Sequence, residues 1–175
     1  MSLKEKIKKI PNEPGVYCFF DLEENPAYAG KTGRSIRGRI REHLIRQDSS
    51  AASYGKFDPW DIYYVLYWET ENVDTAEDEL IARLNPYLNI ESRETKEKDI
   101  DIENPTGRLN VISGEEAKFR KQPYNRTKQK LEHLERLLDK IKLAEHTQDT
   151  QKLLYEHLDV MEENLEEFLD VKREK

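Results

Sequence analysis

From Gly15 to Phe20 the apolar side chains fall into two alternating sets, Val16, Cys18 and Phe20 on one side and Tyr17 and Phe19 on the other. A strand sends successive side chains to opposite faces, so this run reads as a strand. Glu23-Glu24-Asn25-Pro26 is turn material. Ala27 to Gly30 then reads as a second short strand, which makes a hairpin. At Ser35 the spacing becomes helical, with Ile36, Ile40 and Leu44 on one stripe up to Arg46. Asp61 to Trp68, rich in Ile, Tyr, Val and Trp, reads as a third strand. Asp74 to Leu84 reads as a helix ended by Pro86. The expected unit is a small α/β domain over residues 1–92, with a three-stranded, mainly antiparallel sheet flanked by helices.

Beyond it, Glu91 to Asp101 is charge-dense and without periodicity. Residues 93–125 read as a linker, with a turn at Pro105-Thr106-Gly107 and a short strand near Leu109 to Ile112. From Arg126 the pattern is helical: Leu131, Leu134, Leu138 and Ile141, then Leu154, Leu158, Met161, Leu165, Phe168 and Leu169. Thr147 to Thr150 is the expected break. Residues 126–175 therefore read as an antiparallel helical hairpin. Its narrow stripes suit packing on itself, on the α/β domain, on a protein partner, or on a second copy in a homodimer. His133, His146 and His157 have no metal-ligand spacing and read as surface residues.

The chain has 175 residues, 37% charged and 36% hydrophobic, which is polar for a closed globule and predicts exposed helix or loop. No apolar run approaches the ~20 residues of a membrane span. Met1 to Ile10 is lysine-rich with no apolar core behind it, so no signal peptide is read. Cys18 is the only cysteine, which excludes an internal disulfide and a cysteine-based zinc site. A soluble cytoplasmic protein with no membrane partner is expected. The net charge of −7 speaks against a general nucleic-acid coat protein, but its distribution is uneven. Lys31 to Arg46 holds six Lys and Arg against Glu42 alone, whereas Glu156 to Asp170 holds seven acids and no Lys or Arg. The basic stretch is suited to phosphate and the acidic one is not, so the tail is not expected to touch nucleic acid.

Two side-chain placements bear on chemistry. On the first helix, with Ile36 at 0°, Ile40 and Leu44 fall at about 40° and about 80°. Arg39 and His43 flank that stripe on one side, Arg37 and Arg41 on the other. An arginine at such a margin can lay its stem on apolar surface and offer its fork to a phosphate; a plain solvated basic face has the same pattern. On the second helix, with Ala76 at 0°, Glu77 falls at about 100°, within the stripe of Leu80, Leu84 and Ile81. Asp78 and Glu79 fall where solvent is expected. A carboxylate on a core face needs a partner. A divalent metal would serve; so would a capping box with Asp74 as N-cap. Gly30-Lys31-Thr32 after a strand suggests a nucleotide P-loop, but that motif requires a glycine where Asn25 stands.

Taken together, Gly15-Val16-Tyr17, Tyr28-Ala29-Gly30, the basic run Arg34, Arg37, Arg39, Arg41 and His43, Glu77 and Asn89 resemble the GIY-YIG nuclease family. Glu77 through Ile81 and Pro86 through Asn89 look like the matching stretch of the excinuclease C subunit. The resemblance covers roughly residues 10 to 92; no single motif is specific, but their joint order and spacing are. Ala29 departs from the usual Ile or Val. One extra residue between Tyr28 and Arg39 leaves Arg37 as an alternative phosphate arginine, although His43 four residues on favours Arg39. The resemblance implies a metal-dependent endonuclease hydrolysing DNA phosphodiester bonds. Glu77 would hold one Mg²⁺ or Mn²⁺, and Arg39 would clamp the scissile phosphate. Tyr17 and Tyr28 would orient or deprotonate water, a base role needing help from Lys31 or the metal because a free tyrosine has a pKa of about 10. Lys31, Arg37, His43 and Asn89 would bind or position substrate. The competing reading is a non-catalytic nucleic-acid-binding or protein-interaction module on the same fold.

Overall fold

Strand β1 (Gly15–Asp21) is buried along its whole length. It lies between β2 (Pro26–Thr32) and β3 (Ile62–Glu69), and β4 (Gly107–Asn110) completes an antiparallel sheet of order β2-β1-β3-β4. The computed structural model describes residues 1–47, 57–89, 100–143 and 148–171, except the side chains of 140–143 and 148–150. The sheet has one strand more than the three expected. The fourth comes from the segment read as a linker and pairs with Tyr64 to Tyr67 of β3. Only Leu109 of its four residues is buried, so it carries almost no alternating signal.

The two faces of β1 separate as their alternation predicts. Tyr17 and Phe19 join a core with Ile36, Ile40, Leu44, Phe57 and Leu109. Val16, Cys18 and Phe20 join another with Ala76, Leu80 and Ile81. Helices α1 (Leu3–Ile7) and α2 (Ile36–Arg41) supply the first face, and α3 (Val73–Leu84) covers the second. Ser35 caps α2 by accepting from the Gly38 amide. The helix then continues as a π turn, Glu42–Arg46, in which His43 and Leu44 are both buried. Such turns rotate side chains off the regular 100° step.

Helix α3 departs from expectation at its start and on one side. Its N-cap is Asn72, and Asp74 lies inside the first turn, so the capping box is not formed. Glu79, expected in solvent, is fully buried. The reason is a cover the helix pattern does not reveal: Ile100 and Ile102 pack over that flank. Glu79 accepts from Arg83 Nη1 at 3.0 Å and from the Ile100 amide at 3.2 Å.

Helices α4 (Gly114–Lys121), α5 (Pro123–Leu143) and α6 (Gln148–Leu169) follow. The last two pack together as a hairpin, and Leu153 enters the first core, so the tail is part of the domain's packing. The buried face matches the predicted one only at Leu134 among the described residues of α5. Leu131 and Leu138 are exposed, while Arg126, Thr127, Lys130, His133, Leu134 and Leu137 are buried. On α6 the buried positions are Leu153, His157 and Asn164. His133 and His157, expected on the surface, are buried and meet edge-to-face with ring centroids 4.5 Å apart; His146 lies outside the described residues. The face is offset because its contacts are ionic. Lys130 pairs with Asp61, Arg126 with Glu23, and Gln129 donates to Asp58 at 2.9 Å. Burial pushes the Asp61 carboxyl up, and the Lys130 and Arg126 cations outweigh it, so its net shift is downward. Lys130→Met is expected to destabilise the protein by about 3 kcal/mol, because it leaves a buried carboxylate without its closest cation. Urea denaturation checks this, with Lys130→Met/Asp61→Leu expected to recover most of the loss. An unchanged midpoint in the single variant would contradict it.

Candidate active site

The antiparallel register sets Tyr17 opposite Gly30 and Phe19 opposite Tyr28, so both tyrosines lie on one face of the β1–β2 pair. A Cβ at position 30 would stand 2.6 Å from the Tyr17 hydroxyl. Glycine there leaves room for the Tyr17 ring to cross β2. The Tyr17 hydroxyl then lies 2.7 Å from Nε2 of His43, delivered by the π turn. The Tyr28 ring meets His43 edge-on and stacks on Phe57, with centroids 5.8 Å apart in each case.

The two candidate arginines have different fates. Arg37 turns back to the α1–β1 connection, where its Nε donates to the Ile10 carbonyl at 2.7 Å. Arg39 pairs with Glu42 at 2.9 Å and is near enough to Tyr17 and Tyr28 to counter the rise in both hydroxyl pKa values. Of the two, Arg39 is the one whose charge acts on the tyrosines.

Glu77 is only 13% exposed, and its Oε2 lies 2.8 Å from Lys31 Nζ. The same ammonium lies 2.7 Å from Oδ1 of Asp74, which is largely exposed. Asp74 thus belongs to this cluster, a role the sequence signals only by its placement three residues before Glu77. Asn89 grips the free edge of β2: its Oδ1 accepts from the Ala29 amide at 2.7 Å and its Nδ2 donates to the Ala29 carbonyl at 3.1 Å. That fixes the backbone next to Tyr28, so Asn89 positions a strand rather than reaching outward.

Burial pushes the Tyr17 hydroxyl well above the usual tyrosine range; Tyr28 and Glu77 add to this, and Arg39 opposes it. Burial and then Glu77 also push Tyr28 up, again against Arg39. Both are therefore neutral phenols at ordinary pH. Hydrogen bonds that Lys31 donates to Asp74 and then to Glu77 raise its pKa, so it stays charged. Burial, with Arg39 adding, pushes the His43 imidazole down to about 3. Between about pH 6.5 and 3 the unfolded chain therefore binds a proton here that the folded chain does not. Stability contributed by neutral His43 is fully present above its unfolded pKa and is lost as pH falls, by ~1.4 kcal/mol per pH unit. Urea titrations across that window are expected to show this slope, and His43→Phe to flatten it. Equal slopes in the two proteins would contradict a buried neutral imidazole.

Among the described residues no group of three or more His, Cys, Asp or Glu converges as a metal cage. Glu77 offers one hard oxygen donor beside the tyrosines and Arg39. That donor set fits an ion that keeps its waters and takes further ligands from a phosphate, as Mg²⁺ does, and does not fit a structural zinc site.

The GIY-YIG catalytic domain family matches residues 13–90. The chain is similar to UvrABC system protein C of Acidobacterium capsulatum, 29% identical over 98 residues, covering 55% of this chain and 15% of that protein. The Dictyoglomus thermophilum protein of the same name is 31% identical over 98 residues, covering 55% of this chain and 16% of its own. That of Nautilia profundicola is 28% identical over 126 residues, covering 60% and 19%. The chain thus spans less than a fifth of the length of these relatives. Among the described residues no helix is long and apolar enough to cross a membrane.

Proposed function

Residues 13–90 are a GIY-YIG catalytic domain, and from that premise we propose that the protein is a metal-dependent endonuclease that hydrolyses DNA phosphodiester bonds. The observation that carries the reading is that Tyr17 and Tyr28 on one face of the β1–β2 hairpin and the Lys31–Glu77 pair on the other lie close enough for Glu77 and Arg39 both to act on the two tyrosine hydroxyls. A non-catalytic module would have no need to keep all five together.

The chain's own groups divide the work. Arg39 offers a forked cation to the scissile phosphate and stabilises charge as it grows in the transition state. Tyr17, held by His43, and Tyr28 orient water as neutral phenols; their raised pKa values make either a poor base. Lys31 holds the Glu77 carboxylate in place. Glu77 would hold a Mg²⁺ or Mn²⁺ ion, which supplies Lewis-acid neutralisation at the phosphoryl oxygens when bound. Asn89 keeps the Tyr28 strand in register.

The test is a nicking assay on supercoiled DNA and on duplex, flap, branched and single-stranded oligonucleotides, with Mg²⁺ and with chelator. Cleavage that requires the ion supports the reading. DNA binding without cleavage under every metal condition would favour the interaction module instead.

A further inference from the structure

A groove of about 410 Å³ runs beside the candidate active site, lined by Asn85, Tyr87 and Asn89 on one wall and by Lys152, Tyr155 and Glu156 of α6 on the other. The first wall is locked to the strand that carries Tyr28. Asn85 turns the chain with φ 48°, and the amides of Tyr87 and Leu88 then donate to the Pro26 and Ala27 carbonyls along the β2 edge. Asn89 completes this edge by gripping Ala29. The second wall is equally fixed, because Leu153 and His157, on either side of Tyr155, are buried. Tyr155 itself is 66% exposed. A rigid platform therefore holds a large aromatic ring in water, next to the catalytic strand.

The chemistry of the lining identifies the occupant. Lys152 and Glu156 cancel in charge, so the groove is not a track for the phosphate backbone. Its volume suits a single nucleotide. An exposed ring flanked by a donor and an acceptor matches an unpaired base, which stacks on an aromatic face and bonds through its edge. We propose that this groove is a subsite for an unpaired nucleobase of the substrate strand beside the scissile phosphodiester, with Tyr155 as the stacking platform and Lys152 and Glu156 as edge contacts. The inference rests on the nuclease reading and adds to it a preference for tailed, flapped or branched DNA over continuous duplex. It also gives the first turns of α6 a substrate role, which the acidic character of the hairpin does not suggest.

The experiment uses the full chain without metal, so that nothing is cut. Probes are a blunt duplex and the same duplex with a short single-stranded tail carrying 5-iododeoxyuridine. The protein is expected to bind the tailed probe more tightly, and irradiation to crosslink the tail to Tyr155. Tyr155→Ala should lose about tenfold affinity for the tailed probe only, whereas Tyr155→Phe, which keeps the ring, should bind normally. Equal binding of both probes, a crosslink elsewhere, or no effect of Tyr155→Ala would overturn the subsite. If those results came with Mg²⁺-dependent nicking by the parent protein, the nuclease reading would stand alone. Absence of both binding and cleavage on every probe would remove the two together.

Discussion

Glu77→Gln is expected to lower the single-turnover cleavage rate by about a thousandfold, equivalent to ~4 kcal/mol of transition-state stabilisation, and to leave the fold intact. The amide keeps the shape of the carboxylate and an oxygen for the Lys31 ammonium, 2.8 Å away in the parent. What it loses is the negative charge that attracts a divalent ion. The residue is little exposed, so the loss cannot be made good by bulk solvent. Stability should change by less than about 1 kcal/mol, since the pair is partly open through Lys31. Asp78→Asn should leave both quantities near parental values. Glu79→Gln gives the opposite split: its buried carboxylate holds Arg83 and the Ile100 amide, so the change should lower the urea midpoint more than the rate. Full Mg²⁺-dependent cleavage by Glu77→Gln would remove that residue from the mechanism.

The contrast between Glu77 and Glu79 shows what a sequence does and does not display. The strand faces are legible because Tyr17 and Phe19 alternate strictly with Val16, Cys18 and Phe20, and each set enters its own core. The order of Tyr17, Tyr28, Arg39, Glu77 and Asn89 is legible because the first four sit at set places in a hairpin or helix and Asn89 follows α3 at a short, fixed distance. Glu79 is misread because its cover comes from Ile100 and Ile102, across a stretch without periodicity. The hairpin is misread for a related reason. Leucine spacing assigns Leu131 and Leu138 to the inner face, yet Asp58 and Asp61 draw in Lys130 and His133 instead. Hydrophobic periodicity cannot report a face that is buried through ion pairs. The π turn is also hidden; a regular helix leaves His43 on a flank, and the extra residue per turn brings it against Tyr17.

The two arginines on α2 should separate cleanly in kinetics. Arg39→Ala is expected to reduce the cleavage rate by about a thousandfold with little change in DNA affinity, because its guanidinium lies with Tyr17 and Tyr28, where charge would develop. Arg39→Lys should recover only part of the loss, since an ammonium cannot present two parallel donors to a phosphate. Arg37→Ala removes a different contact. Its Nε donates to the Ile10 carbonyl, which ties the α1–β1 connection to α2, so a modest loss of stability is expected alongside weaker, less salt-dependent DNA binding. Single-turnover rates and affinities measured at two salt concentrations would resolve the pair. The reverse outcome, a rate defect in Arg37→Ala and a binding defect in Arg39→Ala, would mean that α2 rotates on binding DNA. Arg37 would then leave Ile10 for the phosphate, and the extra residue between Tyr28 and Arg39 would lie after the catalytic arginine rather than before it.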